Sequence, residues 1–298
     1  MIFRPWIQAF RPRTLPLAFA SIITGSGLAW AEGTFRLMVF ALALITTIFL
    51  QILSNLANDY GDFQHGVDNE ARVGPDRTLQ AGLISKGQMV KAMWIIALLC
   101  SIFGVWLIVE GTRGLTWGKS VLFAVLGLTA MGAAVKYTMG KNPYGYAGLG
   151  DVAVFLFFGW LGVLGTYFLH NHSISIELLL PASAIGLFTT AVLNINNMRD
   201  HRADEQSGKQ TLVVRIGLDR AKRYQLSLNT GGVLLAIAFI FPSIRISNYL
   251  FMIIAPVLIN TSLNILYSDN YKSFDTYLKK QAMVTFLFSI LFTISINL

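Results

Sequence analysis

Apolar residues in this chain gather into long uninterrupted runs, without the short alternation or narrow stripes of a water-soluble domain. Nine runs reach the length needed to cross about 30 Å of hydrocarbon. They lie near 15–31, 36–57, 90–109, 118–137, 149–169, 177–197, 226–242, 246–266 and 281–297. Each is read as a helix, because a helix satisfies its own backbone polar groups where no water can. Most connections are short, but two are long and charged, 58–89 and 198–225. The pattern predicts an all-α polytopic membrane protein of about nine transmembrane helices in one domain spanning 1–298. Pro16, Pro181 and Pro256 fall in or beside runs and should bend them.

Composition supports this reading: 54% of the residues are hydrophobic and 13% charged, outside the range of soluble domains. The first run is long for a cleaved signal segment and is kept as a span. Cys100, the single cysteine, lies inside a run, which excludes an intrachain disulfide and suggests a packed thiol. The net charge of +8 is distributed unevenly. With nine spans, all the basic residues except Arg36, Arg113, Lys119 and Arg245 fall on the N-terminal side of the membrane. Basic loops resist translocation, so the N-terminus is expected in the cytoplasm and the C-terminus outside. That bias accounts for the charge without any nucleic-acid partner.

The two long connections open on matching polar clusters. Asn58 precedes Asp62 by four residues and Asn196 precedes Asp200 by four, a spacing that stacks each pair on one helix face. Asp59 joins the first cluster and Asp204 the second. An Asp near hydrocarbon costs about 2.5–3.5 kcal/mol, so two such clusters imply a use. Carboxylate and amide oxygens suit Mg²⁺, which takes one or two carboxylates and completes its shell with water and phosphate oxygens. No thiolate or paired-His pattern suggests zinc or iron. Two facing clusters would hold Mg²⁺ around a diphosphate, with Arg72, Arg77, Arg199 and Lys209 cancelling the remaining charge. Gly74 to Leu79 echoes Gly208 to Leu212, which suggests a duplication with pseudo-repeats near 1–140 and 141–298. Each repeat would deliver one cluster to a central cavity open to the cytoplasm, under cap loops 58–89 and 198–225. A secondary transporter is the alternative from another class, although its polar residues would lie nearer mid-membrane.

Asn58-Asp-Tyr-Gly-Asp62 with Gly66 and Asp68, taken with Asn196 to Asp204, resembles the two aspartate-rich motifs of the UbiA-type intramembrane prenyltransferases. Gly66 stands where the superfamily usually has an acid, and Asp68 follows two residues later. That departure is similar to the 1,4-dihydroxy-2-naphthoate polyprenyltransferase branch, as are Arg11-Pro-Arg-Thr-Leu-Pro16 and Gly148-Leu-Gly-Asp151. The resemblance covers nearly the whole chain and implies a multi-pass enzyme of the cell (plasma or inner) membrane. Its substrates would be a polyprenyl diphosphate and 1,4-dihydroxy-2-naphthoate; CO₂ and diphosphate leave, giving demethylmenaquinone. Members acting on 4-hydroxybenzoate or homogentisate are the alternatives within the family.

By spacing and motif match, Asp59, Asp62, Asp68, Asp200 and Asp204 are the expected metal ligands. Asn58, Asn196, Arg72, Arg77, Lys141 and Lys209 are the expected diphosphate contacts. Asp62 and Asp200 are also expected to be catalytic, together with Lys136, Tyr137 and Asp151, which with Lys141 would position the aromatic acceptor. Arg11 and Arg13 lie near the same mouth and could meet the acceptor carboxylate. His65 and His201 are read as solvated loop residues beside the clusters.

Overall fold

The computed structural model describes residues 3–67, 77–242, 245–268, 270 and 273–298. Asp68 and Arg72 lie outside the described residues. Among those described, all the regular secondary structure is helical. The first helices are α1 (Phe3–Phe10), α2 (Leu15–Ala31), α3 (Leu37–Gln64), α4 (Lys86–Gly111) and α5 (Trp117–Lys136). Next, α6 (Gly150–Val154), a π-helical stretch (Phe155–Leu164) and α7 (Gly165–Asn171) run on as one span. After these come α8 (Leu179–Gln206), the short α9 (Leu212–Ile216), α10 (Leu218–Ile240), α11 (Ala255–Leu266) and α12 (Phe274–Asn297). A 3₁₀ stretch, Ile246–Ile254, leads directly into α11.

Among the described residues, eight helical segments are long and apolar enough to cross a membrane. The ninth expected span corresponds to α10, whose first turns carry Asp219, Arg220, Lys222 and Arg223 and dilute its hydropathy. It nonetheless packs along α8 and α11. Its Asn229 amide donates to Ser262 Oγ at 2.8 Å and exchanges hydrogen bonds with Gln281 at 3.1 and 2.8 Å, joining α10, α11 and α12. Such bonds hold helices together where lipid gives no hydrophobic drive.

Among the described residues, three apolar cores organise the bundle. One joins α1, α3 and α4 around Leu53, Leu56 and Met89. A second packs Phe188, Phe251, Phe288 and Phe292 between α8, α12 and their neighbours. The third lies by the second acidic cluster, around Ile195, Met198 and Phe274. Helix α2 packs on α12, so the two ends of the chain meet. Trp94, Leu98, Val105 and Val109 stand exposed along one face of α4, a surface suited to hydrocarbon.

Two spans outrun their apolar sequence. Both α3 and α8 have 28 residues and carry their polar clusters as regular helix. The clusters are therefore the ends of spans, where the sequence suggested the starts of loops. Each helix stops at a glycine in the left-handed region, Gly66 at φ +66° and Gly208 at φ +75°. The hydrogen bonds that close them match: Val67 N–H donates to Asp62 O at 3.0 Å, and Lys209 N–H to Asp204 O at 2.8 Å.

Candidate functional site

The turn at Gly208 folds the chain back so that the Lys209 side chain lies between the two clusters. Its ammonium is 3.7 Å from Asp62 Oδ1 and 3.5 Å from Asp204 Oδ1. Two acids separated by 142 positions thus flank one cation, within the span of a metal-bound diphosphate. All three are buried: Asp62 is 2%, Asp204 3% and Lys209 8% exposed. Burial alone would lower the Lys209 pKa, but Asp62 and then Asp204 outweigh it and hold the ammonium charged.

The first cluster gathers further cations. Arg77 spans it, with Nη1 donating to Asp59 at 2.9 Å and Nη2 to Asp62 at 2.6 Å. Arg11 also pairs with Asp59, so its charge meets an acid of the chain itself. The Arg11 backbone is in the left-handed region at φ +50°, ahead of the 3₁₀ turn Pro12–Thr14. Asn55 secures that entry by donating to Phe10 O at 2.9 Å and Thr14 Oγ1 at 3.1 Å.

The link between α5 and α6 closes over the same acids. Tyr146 Oη donates to Asp62 Oδ1 at 2.6 Å, and the Lys209 ammonium lies 5.1 Å from the Tyr146 ring centre. Gln210 N–H donates to Tyr146 O at 3.0 Å, which ties the two segments together. Burial, then the Asp62 charge and this hydrogen bond, raise the Tyr146 pKa, so the phenol remains a donor. Gly61 makes the approach of this link possible. A Cβ there would lie 2.6 Å from Thr138 O. Thr138 Oγ1 in turn donates to Ala57 O at 3.0 Å and Asn58 Oδ1 at 3.3 Å. His65 edges against the Tyr146 ring, with its ring nitrogens 2.8 Å from Gly61 O and 3.1 Å from Gly140 O, so it braces this contact.

Tyr137 lies deeper. A Cβ at Gly150 would fall 2.8 Å from Tyr137 Oη. Burial first, then the charges of Asp151, Asp62 and Asp204, raise the Tyr137 pKa. Its phenol lies against Gly150, the residue before Asp151. Asp151 is buried, shares a hydrogen bond with the Tyr224 hydroxyl and keeps Oδ1 without a hydrogen-bond partner. Lys136 and Lys141 are not drawn to the acids. Both are exposed, and Lys136 leans over Gly140 at the rim of an apolar groove lined by Leu53, Ala97 and Met131.

The second cluster is held differently. Arg199 grips Asp200 with Nε at 2.9 Å and Nη2 at 2.6 Å, and Nη2 also reaches Asn196 Oδ1 at 2.9 Å. Its buried guanidinium braces the motif, contrary to the expectation that it would be spare charge for a diphosphate. Helix ends give a register that sequence spacing did not. Asp62 and Asp204 each stand four residues before their terminating glycine, and these two face Lys209. Spacing had matched Asp62 with Asp200.

The donors fit a hard divalent cation. Asp62 and Asp204 offer oxygens to a position that the Lys209 ammonium already approaches, and two carboxylates are enough when phosphate oxygens complete the shell. Among the described residues no three His, Cys, Asp or Glu are grouped closely enough to hold an ion alone. With the Lys209 ammonium between the two acids, a metal here would depend on its diphosphate.

The profile of the UbiA prenyltransferase family matches residues 18–292. A 1,4-dihydroxy-2-naphthoate octaprenyltransferase of Escherichia coli is 43% identical over 294 residues, covering 98% of this chain and 95% of the relative. The enzyme of the same description from Haemophilus influenzae is 42% identical over the same shares. Among solved structures, a UbiA homolog from Archaeoglobus fulgidus superposes with a TM-score of 0.63 at 16% identity, covering 99% of this chain and all of that one. A structure described as that homolog bound to DMAPP and Mg²⁺ gives 0.57 over 98% and 99% of the two chains. With both acidic motifs converging at the ends of two long helices, the chain belongs to the UbiA prenyltransferase family.

Proposed function

We propose that the chain transfers a polyprenyl group from a polyprenyl diphosphate to 1,4-dihydroxy-2-naphthoate, releasing diphosphate and CO₂. The observation that carries this reading is the meeting of Asp62 and Asp204 at Lys209, a charged pocket at the ends of two apolar spans. Full-length relatives named for that reaction support the acceptor. Mg²⁺, bound with the diphosphate, would supply positive charge to stabilise the leaving group.

The chain's own residues do the rest. Asp59, Asp62, Asp200 and Asp204, with Asp68 by its place in the motif, form the acidic side of the site; Asn58 and Asn196 flank it. Lys209, Arg11 and Arg77, with Arg72, balance the diphosphate. The allylic C–O bond breaks and its electron pair leaves with the diphosphate. Tyr146 and Tyr137, both protonated, offer hydrogen bonds without becoming nucleophiles. The electron-rich ring attacks the allylic carbon, and the pair from the departing carboxylate returns to the ring as CO₂ leaves. Tyr137 and Asp151 form the acceptor side, and the packed helices exclude water from the allylic cation. The site opens to the cytoplasm, with the N-terminus on that side and the C-terminus outside.

The test supplies purified protein with labelled polyprenyl diphosphate, dihydroxynaphthoate and Mg²⁺ and looks for a prenylated naphthoquinol, read as the quinone after oxidation by air. Turnover with 4-hydroxybenzoate but not with the naphthoate would overturn the acceptor.

A further inference from the structure

Asp275 lies outside both acidic motifs, in the first turn of α12, yet it touches the second through Arg199. Arg199 uses one edge of its guanidinium on Asp200 and Asn196. From the other edge, Nη1 donates to Asp275 Oδ1 at 2.9 Å. Arg13, from the segment before α2, approaches the same oxygen at 3.7 Å. Lys279, one turn along α12, pairs with Oδ2 at 2.6 Å. Three cations therefore share two carboxylates, and Arg199 is buried between them with 2% of its side chain exposed.

We infer that Asp275 is a positioning residue for the diphosphate site: by sharing Arg199 it keeps Asp200 from being fully neutralised and fixes the rotation of the guanidinium that holds Asn196 and Asp200. A planar fork with donors on both edges is suited to such sharing. Without the Asp275 charge, Arg199 would turn its whole charge on Asp200. The second motif would then present a weaker field to a divalent cation, while a bare anion would meet one more uncompensated positive charge. The two effects have opposite signs. Loss of mere packing would weaken both.

The inference rests on the metal–diphosphate reading of the site, and one experiment separates the two. Calorimetry on the full-length protein in detergent measures binding of inorganic pyrophosphate, once with saturating Mg²⁺ and once in EDTA. Wild type should bind more tightly with Mg²⁺; failure to do so would sink the underlying reading. Asp275→Asn should weaken the Mg²⁺-dependent binding about tenfold and leave the EDTA value unchanged or tighter. Asp275→Glu should restore it. Equal weakening in both conditions, or no change in either, overturns the inference. Lys279→Met, at a half-exposed position that does not threaten folding, should tighten Mg²⁺-dependent binding about twofold by freeing Asp275 for Arg199. An unchanged or weaker value would also overturn it.

Discussion

Replacing Lys209 with Met tests the centre of the site. The change keeps most of the side-chain volume and removes an ammonium 3.7 Å from Asp62 and 3.5 Å from Asp204. At that range each pair carries about 4 kcal/mol of Coulomb attraction in an effective dielectric near 20, much of it offset by burying the three groups. The loss falls unevenly. Asp62 keeps Arg77 and the Tyr146 hydroxyl, both at 2.6 Å. Among the described residues Asp204 pairs with no cation other than Lys209. One buried carboxylate is left uncompensated, which costs about 3 kcal/mol. The variant should be less stable than wild type by that amount in thermal unfolding in detergent. It should also respond to Mg²⁺ without any diphosphate, because the position between the two acids is now open. If the metal binds with a dissociation constant of about 1 mM, about 10 mM would return roughly 1.4 kcal/mol. Wild type, with its own ammonium in place, should gain far less. Equal Mg²⁺ responses in the two proteins, or equal stability without metal, would refute the reasoning. The pH dependence adds a check. The folded-state pKa of Lys209 is raised above the ordinary 10.5. Its stabilising contribution is therefore complete below pH 10.5 and is lost as pH climbs through the folded value, so the gap between wild type and variant should close only in strong alkali.

Asp62→Asn and Asp200→Asn should each lower turnover at least about 100-fold in the labelled-substrate assay. Each also removes one of two carboxylate partners of an arginine, Arg77 keeping Asp59 and Arg199 keeping Asp275, so a stability loss of about 1–3 kcal/mol should accompany it. Arg11→Gly and Arg11→Ala both delete the pair with Asp59, but only glycine suits φ +50°; the glycine variant should be the more stable by about 1 kcal/mol in chemical denaturation. Gly61→Ala drives a methyl into the Thr138 carbonyl and should cost about 1–3 kcal/mol while raising KM, as the Tyr146 link is pushed off Asp62. An alanine variant with wild-type KM would show that this approach is unimportant.

Hydropathy located the spans because burial in lipid writes itself into consecutive residues. It misjudged where α3 and α8 end, since Asp62 and Asp204 look like loop residues until their partners are known, and those partners come from distant segments. The same limit explains the site. Acids at fixed helical spacing could be recognised, and Lys209 was found through the echo between the two loops. Arg11 as a partner of Asp59, Tyr146 as a donor to Asp62 and Asp275 behind Arg199 depend on contacts made across the bundle. Gly66 is instructive. Read as a missing acid, it named a branch; in the fold it is the left-handed residue that ends α3, and it sets the register by which Asp62 matches Asp204.

The length of α3 and α8 has a kinetic consequence. Twenty-eight residues of helix extend about 42 Å, and about 30 Å of that suffices for hydrocarbon, so the polar last turns stand at the depth of lipid headgroups. The proposed substrate, an amphiphile with a diphosphate head, would rest at that height and reach the acids by sliding sideways. Encounter is then a two-dimensional process. Its rate follows the mole fraction of the amphiphile among the surrounding lipids, so diluting the membrane with inert lipid should slow the protein while diluting the aqueous phase should not.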